Sequence, residues 1–154
     1  MSKFPTPYKW YPSNPDKYVG DVNNIVVRSS WEKKVMIRFD TDPSVLKWNS
    51  EGVVIPYINP IDKKPHRYFP DFIIMCRTAS GEIRKSIVEV KPYSQTVLPK
   101  VKKSKSKKTQ KTMLTEISTY AVNRAKFDAA EEFCAKNNMD FVILSEADLG
   151  ITKK

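Results

Sequence analysis

Residues 66–92 read HRYFPDFIIMCRTASGEIRKSIVEVKP, and this stretch decides the fold. Two segments rich in β-branched and aromatic residues, 66–77 and 83–90, predict neighbouring strands. The Ala79-Ser80-Gly81 turn between them predicts an antiparallel hairpin. Near their ends both strands are apolar on both faces, which indicates that the sheet is covered on both sides.

The sequence before this hairpin predicts a helix and one further strand. Ser29 and Glu32 have the spacing of a capping box, at which a helix begins. That helix should end near Asp42, because the residue before a proline, here Pro43, avoids the helical region. The apolar pattern over 45–58 predicts a strand.

The sequence after the hairpin completes an α/β pattern. Apolar residues at a spacing of three and four predict a long helix over 112–137, and residues 141–144 predict a short buried strand. The order of helix, three strands, helix and strand predicts an α/β domain over residues 21–154, with a mixed central sheet flanked by helices.

Residues 1–20 predict an extended N-terminal arm. The segment contains four prolines, which exclude a helix. Its aromatic residues would be left in water if the segment were a bare linker. We therefore expect the arm to lie on a protein surface, and the sequence leaves open whether that surface is its own domain or a partner. The aromatic residues are Tyr8, Trp10, Tyr11 and Tyr18.

The basic charge is concentrated in one segment. The chain of 154 residues carries a net charge of +10, which favours binding to a polyanion. Seven lysines and no acid lie within residues 100–111, and without them the net charge is +3. We expect a flexible loop over 98–111 that binds DNA phosphates without sequence preference, or else a solvated loop that only favours solubility. The lysines are Lys100, Lys102, Lys103, Lys105, Lys107, Lys108 and Lys111.

The remaining composition excludes several classes of protein. Two cysteines, Cys76 and Cys134, form neither a disulfide framework nor a paired zinc site, and we expect buried free thiols in a reducing compartment. Apolar runs reach only about five residues, which is too short for a membrane span. We therefore expect no membrane partner.

Three charged residues of the hairpin predict chemistry. Asp71 lies in an otherwise apolar strand, and Glu89 and Lys91 are two residues apart, so that on a strand they share one face. The hairpin places Asp71 and Glu89 on neighbouring strands. Two carboxylates suit Mg²⁺, which promotes phosphodiester hydrolysis, and a nearby lysine can orient water or offset negative charge. The alternatives are an acid at a strand edge and a salt bridge between Glu89 and Lys91.

These residues carry a resemblance to a known group of enzymes. Pro70-Asp71 followed by Glu89-Val90-Lys91 matches the signature of PD-(D/E)XK nucleases. Residues 28–144 resemble the endonuclease subunit of heteromeric transposases. The whole sequence, including the aromatic arm and Trp48-Asn49-Ser50-Glu51, resembles the head completion nucleases of T4-like tailed phages.

The resemblance implies a fold, an activity and a biological setting. It implies a single restriction-endonuclease-like domain and a nuclease of double-stranded DNA that depends on Mg²⁺ or Mn²⁺. Members of the phage family act after DNA packaging and finish the filled head, so that a tail can join. That role implies head, neck or portal proteins as partners. It implies the host cytoplasm during assembly as the location, with the virion as a second one.

The resemblance also implies roles for individual residues. Asp71, Glu89, Lys91 and Glu32 would be catalytic. Glu32 is also the capping-box residue, and Glu51 competes with it as the third acid. The metal ligands would be Asp71, Glu89, Glu32 and Val90.

Three other polar residues carry weaker hypotheses. His66 and Gln95 are candidate DNA contacts, and Gln95 is also a candidate contact of a metal-bound water. Arg124, which interrupts the apolar face of the long helix, is interpreted as a solvent-reaching side chain rather than a phosphate contact.

Two other functions remain open from the sequence. The first alternative to a nuclease is a non-catalytic basic protein of the phage neck that binds the portal through its arm. A nucleic-acid-binding module of unrelated function is the third hypothesis.

Overall fold

The structure, a computed structural model, describes residues 3–100 and 106–151. Within them the chain forms two α-helices, eight strands and three short 3-10 helices. The strands are β1 (Lys3–Lys9), β2 (Val26–Ser29), β3 (Val45–Ser50), β4 (Ile55–Ile58), β5 (Pro65–Tyr68), β6 (Phe72–Arg77), β7 (Ile83–Val90) and β8 (Asp140–Leu144). The helices are α1 (Ser30–Thr41) and α2 (Lys107–Lys136), and the 3-10 helices are Pro15–Lys17, Val22–Asn24 and Tyr93–Gln95.

The central sheet has the strand order β3-β6-β7-β8. β6 and β7 form the predicted antiparallel hairpin around Gly81, which has the positive φ of 87° that glycine adopts readily. β3 also runs antiparallel to β6, whereas β8 runs parallel to β7. The prediction of a mixed sheet is therefore confirmed.

Each helix packs on one face of this sheet, because alternate residues of β7 point to opposite faces. Val88 and Val90 belong to a core cluster that includes Val35, Met36 and Phe39 of α1. Ile87 belongs to a second cluster, with Ala130 and Cys134 of α2 and with Tyr57 and Tyr68 of the β4–β5 pair. The predicted α/β fold with a sheet between helices is confirmed.

Two predicted strands are each divided in the structure. Residues 45–58 form β3 and β4, because the chain turns at Glu51, where φ is 55°, and at Gly52. Residues 66–77 form β5 and β6, separated by 69–71, since Pro70 cannot donate a backbone hydrogen bond to a ladder. β4 and β5 pair with each other, apart from the central sheet. Asp71 therefore lies immediately before a strand rather than inside one.

The long helix begins earlier than predicted. Ser106 caps it by accepting a hydrogen bond from the backbone N–H of Thr109, at 3.2 Å. This cap sets the helix start at Lys107, although lysine charges in a first turn oppose the helix dipole. Lys107, Lys108 and Lys111 thus lie on α2 and not on a flexible loop, and Lys100 precedes it. Lys102, Lys103 and Lys105 fall outside the described residues. No described helix is apolar enough over a sufficient length to cross a membrane.

The N-terminal arm docks on its own domain. β1 runs antiparallel to β2, and the rings of Trp10 and Tyr18 lie 6.3 and 4.7 Å from that of Trp48. The buried Asp40 carboxylate accepts hydrogen bonds from the backbone N–H groups of residues 13 and 14, at 2.8 and 2.9 Å. The prediction that no helix forms there holds for α-helix. Pro15 nevertheless begins a 3-10 turn, at a position where a missing N–H costs little.

The two thiols differ in burial. Cys134 is buried against β7, as expected, whereas Cys76, near the end of β6, is only half-buried. Both are free among the described residues.

Candidate active site

Asp71 and Glu89 meet where β6 begins and β7 ends. The register that places Phe72 opposite Val88 brings these two acids side by side. The Asp71 carboxylate accepts a hydrogen bond from the Val90 N–H, at 2.7 Å. The Glu89 carboxylate in turn accepts one from the Asp71 N–H, at 3.3 Å. This reciprocal pair of bonds fixes both carboxylates relative to the sheet.

Glu89 is buried and has two further polar neighbours. The residue is 5% exposed, and the Tyr68 hydroxyl donates to its Oε2 at 2.6 Å. The Lys91 Nζ lies 3.5 Å from its Oε1. Burial and the adjacent Glu89 charge raise the pKa of Tyr68, so that this hydroxyl remains a donor at neutral pH. Tyr68 ends β5, and sequence reasoning did not identify it as a site residue.

Glu32 approaches the site from α1. Its backbone N–H donates to Ser29 Oγ at 3.1 Å, so the helix start is capped as predicted. The residue is 4% exposed, and its charge lies close enough to Asp71 to act on that carboxyl. Its Oε2 accepts a hydrogen bond from the Arg28 N–H at 3.3 Å, and its Oε1 pairs with the ammonium group of Lys3. The contact with Lys3 depends on the pairing of β1 with β2, and no local sequence signal indicates it.

The three acids share one electrostatic environment. Burial, the Glu89 charge and, less strongly, the Glu32 charge raise the pKa of Asp71 to about 8, while the Val90 hydrogen bond and Lys3 oppose that rise. Such crowding of buried carboxylates is relieved by a cation, and Asp71 and Glu89 are the kind of oxygen ligands that Mg²⁺ takes together with water.

The geometry supports Asp71 and Glu89 as a pair of metal ligands more directly than it supports a set of three that includes Glu32. Within residues 3–100 and 106–151, no three acidic, histidine or cysteine side chains stand close enough together to hold one ion. Glu32 as a third ligand therefore stays a prediction. Val90 has a buried aliphatic side chain, so its backbone carbonyl oxygen is the only ligand atom that it offers.

A second lysine reaches the site from α2. The Lys126 ammonium lies 5.7 Å from the centre of the Tyr68 ring and 5.9 Å from that of Tyr57. Burial lowers the pKa of Lys126, and the charge of Lys91 lowers it further, while Glu89 opposes the shift. In the sequence, Lys126 stands at a helical spacing that is otherwise filled by apolar residues. Sequence reasoning considered Arg124 as the interruption of that pattern and did not identify Lys126.

The weaker candidates lie away from the carboxylates. Arg124 pairs with Asp128 and Glu131 on the exposed side of α2, in agreement with its interpretation as a solvent-reaching side chain. His66 bonds Asp62, at 2.7 Å, in the β4–β5 hairpin.

Glu51 and Gln95 flank the site without joining it. The Glu51 side chain is 42% exposed and pairs with Arg28 at 3.0 Å, although its backbone N–H donates to the Asp71 carbonyl. Gln95 lies in the 3-10 helix after Lys91, and its backbone carbonyl accepts from the Asn123 side chain at 3.4 Å. Glu51 is thus a surface acid, whereas Glu32 is a buried one.

The raised pKa of Asp71 predicts how stability depends on pH. In the absence of divalent cations, the folded protein holds a proton on Asp71 up to about pH 8, whereas the unfolded chain releases it near pH 4. The stabilisation of the folded protein by the protonated Asp71 carboxyl is therefore complete below pH 4 and is lost as the pH rises toward 8. Urea unfolding in EDTA between pH 5 and 8 should show the free energy of unfolding falling more steeply for the native protein than for Asp71→Asn, by up to about 1.4 kcal/mol per pH unit. Equal slopes would contradict this prediction.

Comparisons with known proteins identify relatives of the chain. Residues 42–146 match the family described as "TnsA-like endonuclease N terminal", a range that contains Asp71, Glu89, Lys91 and Lys126. The chain is also 36% identical over 141 residues to the "Head completion nuclease" of Enterobacteria phage T4. That alignment covers 92% of this chain and 91% of the T4 protein.

Proposed function

Because the chain belongs to the family of TnsA-like endonuclease N-terminal domains, we propose that it cleaves phosphodiester bonds of double-stranded DNA with the help of Mg²⁺ or Mn²⁺. Similarity to a nuclease over nearly the whole of both chains supports a nuclease role. The observation that carries the proposal is that Asp71 and Glu89 lie side by side where β6 begins and β7 ends. Each carboxylate accepts a hydrogen bond from a backbone N–H, and Lys91 lies beside Glu89.

The residues of the site have distinct roles in this proposal. Asp71 and Glu89 would hold the cation, with Glu32 and the Val90 carbonyl oxygen as further ligands. The cation, when bound, neutralises phosphate oxygens and makes water more acidic. Tyr68 holds the Glu89 carboxylate in one orientation through its hydroxyl.

Lys91 supplies the positive charge on the open side of Glu89. Its backbone N–H donates to the Leu144 carbonyl at 3.0 Å, which fixes the start of the side chain beside β8. Its ammonium group, 3.5 Å from Glu89 Oε1, can orient the attacking water and offset the charge that develops on the phosphate.

The biological setting that we propose follows the T4 relative. By this proposal the protein completes filled phage heads after DNA packaging, in the host cytoplasm or as part of the virion, and it contacts head, neck or portal proteins so that a tail can join. The lysines at 100–111 would contact DNA phosphates without reading sequence. The docked arm weakens the purely structural alternative in part, because two of the four aromatic residues that suggested a partner contact, Trp10 and Tyr18, pack on the chain's own domain. The other two, Tyr8 and Tyr11, are exposed.

The experiment that tests the proposal is cleavage of supercoiled plasmid by the purified protein. We expect nicked or linear DNA in Mg²⁺ or Mn²⁺ and none in EDTA. Lys91→Ala should lower the rate by about a hundredfold, because a charge directed at the reacting phosphate is lost. Lys85→Ala, at an exposed lysine of β7, the strand that Lys91 follows, is the matched control and should cleave at the native rate. Cleavage that persists in EDTA, or equal loss in both variants, would refute the proposed site.

A further inference from the structure

One face of α2 forms a groove that the proposed chemistry does not explain. The groove is shallow and open, with a volume of about 500 Å³. It is bordered by a lysine at each end, with hydroxyl and amide side chains and the apolar Leu114 and Val122 between them. We call it the α2 groove. Its polar lining residues are Lys111, Thr115, Ser118, Thr119, Asn123 and Lys126.

The charged residues that line the α2 groove are both positive. Among the described residues, neither Lys111 nor Lys126 forms an ion pair, and no acid lines the groove. The other side of the same helix differs, because Arg124 pairs there with Asp128, and Lys136 pairs with Glu132. The two lysines that line the groove thus differ from Arg124 and Lys136 in having no ion-pair partner, which favours an anionic ligand.

The chemistry between the two lysines suits a phosphate chain. Ser118 and Thr119 present hydroxyl groups, which donate well to phosphate oxygens. Fifteen residues of α-helix separate the lysines, a length of about 22 Å. About six nucleotides of one strand, at a rise of 3.4 Å each, cover that length.

The inner end of the α2 groove adjoins the candidate active site. The Lys126 ammonium lies over the Tyr68 ring, and the Tyr68 hydroxyl donates to Glu89 at 2.6 Å. Lys91, on the adjoining strand end, is close enough to Lys126 to repel it electrostatically. A DNA strand that follows the α2 groove toward Lys126 would therefore reach the carboxylates of Asp71 and Glu89.

We propose that the α2 groove binds the sugar–phosphate backbone of the DNA strand that is cut, with Lys126 as its contact nearest the carboxylates. This inference rests on the proposed nuclease function and adds to it the path of the strand. Lys111 belongs to the lysine segment that the sequence indicated, whereas Lys126 does not, so the groove continues from that segment along α2 toward the carboxylates.

The test measures binding of a short DNA duplex by fluorescence anisotropy in EDTA, across a series of salt concentrations. We expect Lys111→Gln combined with Lys126→Gln to weaken binding about tenfold and to reduce the slope of log K against log salt by about two. Lys136→Gln, a lysine of the same helix that is paired with Glu132, should change neither quantity.

Two further measurements keep the outcome unambiguous. Lys126→Met with Lys111 intact keeps an aliphatic side chain beside Tyr68 and removes the charge. It should bind DNA more weakly if Lys126 contacts a phosphate, whereas native affinity would indicate a packing role and overturn the contact. Thermal unfolding of each variant verifies that the protein is folded. If the folded double variant binds DNA with the native affinity and the native salt slope, while the native protein cleaves plasmid, the groove proposal is overturned and the nuclease proposal is not. Absence of both binding and cleavage in the native protein would overturn the nuclease proposal as well.

Discussion

Replacing Glu89 with glutamine is expected to lower the rate of plasmid cleavage at least about a hundredfold, while the protein remains folded and bound to DNA. Glutamine has nearly the same shape and still accepts the hydrogen bond from the Tyr68 hydroxyl. It lacks the negative charge that a cation requires of its ligand, and it leaves Lys91 without its partner. Removing a buried charge beside Asp71 also relieves repulsion, so the loss should not come from unfolding.

A second glutamate provides the control for this variant. Glu51→Gln makes the same chemical change at an exposed acid that follows β3 and pairs with Arg28. We expect it to cleave plasmid at close to the native rate. If Glu51→Gln loses cleavage and Glu89→Gln retains it, the assignment of the site is wrong. Glu32→Gln, measured in the same assay, tests whether the buried acid of α1 completes the ligand set.

Replacing Trp48 with alanine is expected to lower the free energy of unfolding by about 3–5 kcal/mol. Trp48 is 1% exposed and lies at the centre of an aromatic cluster. The cluster joins the N-terminal arm, α1 and the central sheet, so the cavity left by alanine cannot be filled by one neighbour. The rings within 6.3 Å of it are those of Trp10, Tyr18, Phe39 and Phe72.

Urea unfolding of two further variants isolates the cause of this loss. The indole Nε1–H of Trp48 is buried and has no acceptor among the described residues, so Trp48→Phe keeps aromatic packing and should cost less than Trp48→Ala. Ile61→Ala removes apolar atoms from a side chain that is 59% exposed and should change stability by no more than about 0.5 kcal/mol. Equal losses for Trp48→Ala and Ile61→Ala would show that the aromatic cluster does not support the fold.

Local patterns predicted the centre of the fold well. The hairpin of β6 and β7 needs only a glycine turn and two apolar runs, and its register is what places Asp71 beside Glu89. The division of 66–77 was also visible in principle, because Pro70 cannot donate to a ladder. The division of 45–58 depends on a non-glycine residue, Glu51, in a conformation that its side chain does not favour.

Contacts between distant segments were beyond sequence reasoning. Lys3 reaches Glu32 only because β1 docks on β2, and Lys126 reaches Tyr68 only because α2 covers the β4–β5 pair. Neither pairing leaves a periodic signal in its own segment. The early start of α2 was missed for another reason: the lysines of 107–111 indicated charge, whereas the Ser106 cap determined the structure.

The proposed active site draws on chain segments that are made at different times. Of these residues Lys3 emerges first during translation, Glu32, Asp71 and Glu89 follow, and Lys126 of α2 comes last. A nascent chain that has formed only the hairpin has the carboxylates without the helix that flanks them. Domains generally fold as units, so hydrolytic competence should arise in the completed protein and not on the ribosome. If the proposed site is the active one, the long sequence separation of these residues ties cleavage to the completed fold.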